Sequence, residues 1–516
     1  MQAEELLSWL EGQLGEAELL GAARVLGLRR GELLLAVLRD ARSRLKLLQR
    51  AQGTRATLVL VSSRALEEDV MSARLGELAA GLLLLPYTAL LNAEFLSRLE
   101  GSYRRRAVLE ELADLYATYG PLACEFWLDE EYFYFKRLRL LLELNPLLSG
   151  LEFSPGEIRR GAEGFSAILN ALAEEGLLSR QGDHYRLAAP GQEGRLQPLL
   201  RGLRRSLARY VAYGSLLWGG SALNRSRAEQ ADQLRAMPEL EVPERLLRVE
   251  GCALTFEEDW RRGALRVLGH ERANLEVKRL GPLSSRELWL LDGAKGGTKM
   301  SAKIYGGIYA AKWTVVSTWT LLSRRFSLSP LARLYKEFRA LRELARQGIA
   351  TPVPLALAPR VPALVTSYVE GRTLDEELQA YFAGNGGLEG IEEAARLLAR
   401  IHELGWCLGD TKPDNLVLAE DGRLYLVDLE QAEKGGEAGW DLALFICFAS
   451  RFNPSASKVE EMAARFLSAY LEKGRREAVR GALRAAYLNI FLPLLLPQTV
   501  LALKRALKRA LERARA

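Results

Sequence analysis

The stretch Ile401–Ala432, IHELGWCLGDTKPDNLVLAEDGRLYLVDLEQA, decides the architecture of the C-terminal part of this chain. A helical run closes at His402 and Gly405 opens a loop. Asp410 and Asn415 then stand five positions apart, with Lys412 and Pro413 between them. Two short apolar runs, Leu416-Val417-Leu418 and Leu424-Tyr425-Leu426-Val427, flank Glu420-Asp421-Gly422. Asp-Gly between such runs is a strong hairpin signal. A hairpin returns the chain to its start, so Asn415 before the first strand and Asp428 after the second are expected side by side. Three polar groups thus converge on one cleft. Asp410 can orient a nucleophilic hydroxyl or accept its proton, while Asn415 and Asp428 offer oxygen ligands to Mg²⁺.

The D-x-K-P-x-N run and the D-L-E after it resemble the catalytic and metal-binding loops of protein-kinase-like phosphotransferases. The Gly-Asp opening is most similar to the small atypical serine/threonine kinases of the RIO and Bud32 type found in archaea, with a more distant likeness to aminoglycoside and choline kinases. The resemblance covers about residues 286 to 450. It implies a two-lobed fold that moves the γ-phosphoryl group of ATP to a hydroxyl, with Asp410 as base or positioner and Lys412 neutralising the migrating group. Asn415 and Asp428 would hold the metal. Asp441 matches the helix-start aspartate that holds the catalytic loop in this superfamily, a simple N-cap being the competing reading. The sequence departs from the family at Leu408, where a histidine commonly props the loop, so another contact must do so. Between Asp428 and Trp440-Asp441 there is no room for a long activation segment.

Upstream, Glu287–Leu291 reads as a strand, GAKGGTK from Gly293 as a glycine-rich turn with Gly296 and Gly297, and Met300–Tyr305 as the return strand. Glycines let backbone approach phosphates closely, although the pattern is neither G-x-G-x-x-G nor a Walker A. Lys303 in the return strand is the expected grip on the α and β phosphates, with Lys312 as its rival. Its acidic helix partner is expected to be Glu337, on a helix whose Leu334, Phe338, Leu341 and Leu344 share one face. An apolar insertion, TVVSTWTLLSRRF, lengthens the path between them. Val365–Gly371 resembles the hinge between lobes, where Tyr368 and Val369 would present backbone groups to adenine.

Ahead of this lie some 285 residues of different character. Residues 1–55 carry helix-spaced leucines and read as a helical N-terminal region; 56–145, with the strand candidate Thr57–Ser63, read as a small α/β domain. In 146–195, Ser154-Pro155-Gly156-Glu157 signals a helix start. A second apolar helix and a hairpin about Gln181-Gly182-Asp183 complete a winged-helix-like outline. A base-reading second helix needs Arg, Lys, Asn or Gln, yet Gly161–Ser179 holds neither Arg nor Lys. Packing against protein is therefore favoured over nucleic-acid contact through Arg159, Arg160, Arg180 and Arg186. Residues 196–285 read as a mixed connector, 286–370 as the kinase-like N-lobe and 371–516 as the C-lobe. The whole is an α+β multidomain chain.

Of the 516 residues 49% are hydrophobic and 26% charged, which excludes wholesale disorder and fibrous repeats. Four scattered cysteines and three histidines exclude a disulfide scaffold or a zinc finger. No basic leader and no uninterrupted apolar span appear, so a cytoplasmic location without a transmembrane segment is expected. The net charge of +6 and the basic end, LKRALKRALERARA, permit an acidic lipid, RNA or protein partner. The first functional expectation is a serine/threonine protein kinase using Mg-ATP on a protein substrate, itself included. The alternatives are a small-molecule kinase and a non-catalytic ATP-binding regulator associated with nucleic acid or a protein complex.

Overall fold

The structure, a computed structural model, describes residues 19–27, 32–39, 45–50, 56–144, 154–188, 242–280, 285–292, 297–306, 326–482 and 484–513, with positions 5, 8, 10–12, 148 and 240. The chain forms two compact units, Met1–Glu250 and Gly251–Ala516.

The first unit corrects the expectation of a helical region over 1–55. Its strands β1 (Leu19–Val25), β2 (Glu32–Leu38), β3 (Leu45–Arg50) and β4 (Ala56–Ser62) join β5 (Tyr87–Leu91) in one sheet ordered β3-β4-β2-β1-β5. Leu33–Val37 are all buried, so β2, paired with β1 and a parallel β4, is covered on both faces of the sheet. A run buried on both faces shows no period-two alternation, so leucine clusters alone do not separate it from a buried helix. The boundary placed at 55/56 therefore falls inside a sheet. Helix α1 (Ser63–Ser72) follows, then α2 (Ala93–Tyr119), the short β6 (Phe126–Trp127) and α3 (Glu130–Leu144). Arg106 and Arg137 are buried here with Glu77 and Glu110, which they pair at 2.7–2.9 Å. Buried charges persist only when partnered in this way.

Residues 154–188 fold as α4 (Pro155–Glu163), α5 (Ser166–Glu174) and the hairpin β7 (Leu178–Gln181) to β8 (His184–Leu187). Ser154 and Glu157 form a reciprocal capping box. These elements do not stand alone. Arg104 on α2 donates to the Gly161 carbonyl, Ser166 to Glu130, and Tyr185 bridges to Leu128.

The second unit begins upstream of the expected lobe boundary at 286. Its six-stranded sheet, ordered β10-β14-β15-β13-β12-β11, includes β10 (Ala253–Leu254) and β11 (Asn274–Arg279) beside β12 (Arg286–Asp292), β13 (Thr298–Ile304), β14 (Pro354–Ala358) and β15 (Ala363–Ser367). Helix α6 (Trp260–Val267) packs Trp260 and Leu265 on Trp289, Met300, Ala302 and Val365. That apolar face needs cover, which residues 253–279 provide. Helix α7 (Pro330–Arg346), capped by Ser329 with Pro330 in its first turn, carries Leu334, Phe338, Leu341 and Leu344 inward as expected.

Beyond β15 come β16 (Gly371–Thr373), α8 (Leu374–Ala383), α9 (Glu389–Glu403), β17 (Trp406–Cys407), the hairpin β18 (Leu416–Ala419) and β19 (Leu424–Leu426), then β20 (Glu433–Lys434). Helices α10 (Ala438–Ala449), α11 (Ala456–Leu471), α12 (Arg476–Ala482), α13 (Ala485–Phe491) and α14 (Pro497–Arg513) close the unit. Among the described residues no helix is long and apolar enough to cross a membrane. Arg515 lies outside the described residues.

Candidate active site

The hairpin forms in the register its turn dictates. Leu416 faces Leu426 and Leu418 faces Leu424, with Gly422 at φ 75° closing the turn. Val427 donates to the Asn415 carbonyl at 2.9 Å, so Asn415 and Asp428 leave the two strand ends as neighbours. Asn415 Nδ2 donates back to the Asp410 carbonyl at 2.7 Å, which ties the loop to the hairpin and keeps the amide oxygen as the side chain's acceptor. Asp410 is buried, and Lys412 Nζ lies 2.8 Å from its Oδ1 and over the Phe448 ring.

The prop missing at Leu408 is supplied from behind the loop. Asp441, fully buried in the first turn of α10, accepts from Leu408 N at 2.6 Å and Gly409 N at 2.8 Å. Its own carbonyl accepts from Thr411 Oγ1, and Trp440 Nε1 donates to the Gly409 carbonyl. The Asp441 carboxylate thus serves the loop and not the start of its own helix, which has no side-chain cap. His402 sits 3.2 Å from Asp441 and 2.9 Å from the Tyr470 hydroxyl. Sequence reading noted the missing histidine but not that one six residues earlier backs the same aspartate. Its position at the end of an amphipathic helix was the available signal.

Side chains alternate along β13, sending Met300 and Ala302 into the apolar core and Ser301 and Lys303 into the cleft. Lys303 Nζ lies 2.7 Å from Glu337 Oε2, 2.5 Å from Asp428 Oδ1 and 3.2 Å from Glu430. Burial opposes its charge, but Asp428, Glu337 and Glu430 outweigh that and hold the ammonium well above its usual range. Glu337 also accepts from the Tyr305 hydroxyl. Burial pushes the Glu430 carboxyl up, with Lys303 acting against that shift.

Three members of this cluster were not read from the sequence. Arg286 pairs with Asp428 Oδ2 at 2.8 Å, Arg333 with Glu430 at 3.1 Å, and Glu430 itself completes a carboxylate trio with Glu337 and Asp428. Three cations thus meet three anions. Only the D-L-E spacing hinted at Glu430; Arg286 and Arg333 carry no local signature.

Leu280, Leu364, Val417 and Val427 line the apolar part of the cleft, with Tyr368, Val369, Gly371 and Thr373 at its rim and Lys303, Arg286 and Asp428 at its polar end. An apolar slot ending in cations suits a base joined to a phosphate chain. Gly297 is exposed with φ 58°, while Gly293, Gly296, the rival Lys312 and residues 314–325 of the insertion lie outside the described residues. Asn415, Asp428 and Glu430 offer only hard oxygen donors, the set that magnesium favours.

Residues 286–470 match the model of the lipopolysaccharide kinase (Kdo/WaaP) family. No curated protein matches the chain. Two solved structures of the bifunctional kinase-methyltransferase WbdD align at 16% identity, covering 43% and 45% of this chain and 47% and 50% of theirs, with TM-scores of 0.25 and 0.27. The chain thus spans about half the length of those proteins. The C-terminal unit carries a kinase-like phosphotransferase region. The match supports a kinase-like superfamily, and the expected RIO and Bud32 type is not what it shows.

Proposed function

We propose that the C-terminal unit transfers the γ-phosphoryl group of Mg-ATP to a hydroxyl of a lipopolysaccharide-type sugar. The observation that carries this is the convergence of Asp410, Lys412, Asn415, Asp428 and the Lys303–Glu337 pair on one cleft, within the span that matches a lipopolysaccharide kinase family. Asp410 orients the acceptor hydroxyl and takes its proton as the oxygen attacks the γ-phosphorus. The bond to the β–γ bridging oxygen breaks and ADP leaves. Lys412 and Lys303 spread the charge on the phosphoryl oxygens, and the Tyr368–Val369 rim presents backbone to adenine. A magnesium ion held by Asn415 and Asp428 would neutralise charge on the β and γ phosphates.

The expected protein substrate gives way to a sugar for a second reason. Protein kinases present peptides along an extended activation segment. Here Leu429–Ala432 are buried and Glu433–Lys434 are paired as β20 with β17, which leaves no platform. The complete polar set argues against a non-catalytic regulator. ATP as donor places the activity on the cytoplasmic side. The 154–188 segment reads as a winged-helix-like packing module, since Arg180 is engaged by Asn170 and Arg186 by Glu125.

Incubation of the full chain with γ-labelled ATP and, separately, purified lipopolysaccharide or a protein acceptor tests the reading. Label in the lipopolysaccharide fraction, lost in Asp410→Asn, is expected. Label confined to protein overturns the substrate, and ATP bound without transfer overturns the enzyme.

A further inference from the structure

Three large apolar side chains of the C-terminal unit stand in solvent. Phe452 is 64% exposed, Leu492 45% and Leu501 58%. Phe452 N donates to the Leu494 carbonyl at 2.9 Å, which sets it beside the turn holding Leu492, and Leu501 lies in the first turns of α14 just after that turn. Phe452 has φ 52°. An aromatic residue in the left-handed region is uncommon and carries strain.

Cations continue the same surface. The exposed stripe of α14 runs from Leu501 through Lys504 and Arg505 to Lys508 and Arg509. Arg505 and Arg509 are tied to Glu460, whereas Lys504 and Lys508 make no ion pair among the described residues. The opposite face, with Ala502, Leu503, Ala506 and Leu507, is packed in the core. Leu501, Lys504 and Lys508 on the outward stripe are therefore not part of that packing.

We infer that Phe452, Leu492, Leu501, Lys504 and Lys508 form a docking surface for the anionic face of a lipid bilayer. The apolar trio would enter the headgroup boundary while the lysines meet lipid phosphates. Charge complementarity selects an anionic partner. Single-stranded RNA asks for aromatic rings interleaved with cations along a groove, but here the apolar groups cluster at one end of a basic stripe. Docking also places the catalytic loop near the bilayer. Arg451, next to Phe452, holds Asp375 at 2.7 Å and lies 3.9 Å from Asp414 of the loop, and Phe448 supports Lys412. This docking needs only the surface and holds whichever hydroxyl the site phosphorylates.

Flotation of the full chain with vesicles of phosphatidylcholine alone, or mixed with phosphatidylglycerol, tests it. The chain is expected to float with the mixed vesicles only, and less so as salt rises. Lys504→Gln with Lys508→Gln should lower partitioning on the order of tenfold or more, and Phe452→Ser with Leu501→Ser should also release the chain. All four side chains are exposed, so melting temperatures should stay at the wild-type value, which separates lost docking from lost folding. Equal flotation with both vesicle types, no flotation, undiminished binding by the lysine variant, or binding of an RNA oligomer in place of vesicles would each overturn the inference.

Discussion

Asp428 sits at φ 69°, a backbone region that aspartate and asparagine tolerate better than most residues. The left-handed turn aims its carboxylate at Lys303 and Arg286, one oxygen to each. Asparagine accepts the same backbone, so Asp428→Asn separates the charge from the strain. We expect it to lower the melting temperature, because Lys303 and Arg286 lose an anionic partner, and to cut phosphoryl transfer on the order of a hundredfold or more, read by single-turnover transfer from labelled ATP. Asp410→Asn should lose on the order of 10² to 10⁴ in rate, as a positioned base does. The reach of sequence reading is visible at this scale. Asp410, Asn415 and Asp428 are joined by a hairpin within one short stretch, so spacing alone brought them together. Arg286 reaches Asp428 from a strand 142 positions upstream, and no pattern in the sequence marks one arginine among many.

Beside them, Asp414 titrates in the opposite sense from a salt-bridged carboxylate. Burial and then Asp375 push its carboxyl above the ordinary 3.8, against the pull of Arg451 and Lys412. In the window above 3.8 the folded chain holds more proton than the unfolded chain. Stability contributed by this group therefore falls as pH rises through the folded value, and is level beyond it. Asp414→Asn removes that dependence. Melts at pH about 7 should show a slightly higher melting temperature than wild type, and the advantage should fade below pH about 4.

Among the elements, α10 and the catalytic loop act as one piece through Asp441. Asp441→Ala would leave the Leu408 and Gly409 amides buried without an acceptor, at about 1–3 kcal/mol each, and would leave His402 with Tyr470 but without its carboxylate partner. A loss of several kcal/mol in urea unfolding is expected, with a lower turnover number because Asp410 is the next residue in the loop. A melt equal to wild type would mean that the loop is held elsewhere. The elements that sequence reading placed well are those with strong local signals: the helix start at Ser154-Pro155 and the Asp421-Gly422 turn. Those it misplaced are decided by distant partners. β2 is a strand because β1 and β4 flank it, and residues 253–279 belong to the kinase-like sheet because Trp260 covers Trp289.

Across the whole molecule, the chain holds two compact units, and among the described residues the lining of the candidate nucleotide cleft comes from the second. A ligand that binds the native form stabilises what it binds by about 2.7 kcal/mol at a hundred times its dissociation constant. Mg-ATP should therefore slow amide exchange in Gly251–Ala516, most in β13, α7 and the 408–428 segment, while exchange in Met1–Glu250 keeps its rate. The strands around Lys303 are expected to respond because its ammonium, held by three carboxylates, must be shared with any bound phosphate chain, so the cluster must rearrange when one arrives. Hydrogen exchange followed by mass spectrometry reads this directly. The same experiment on Lys303→Met should show the protection greatly reduced, since that variant removes the cation at the polar end of the cleft. Protection appearing equally in both units would mean that the nucleotide is felt well beyond the cleft and that the first unit takes part in binding it.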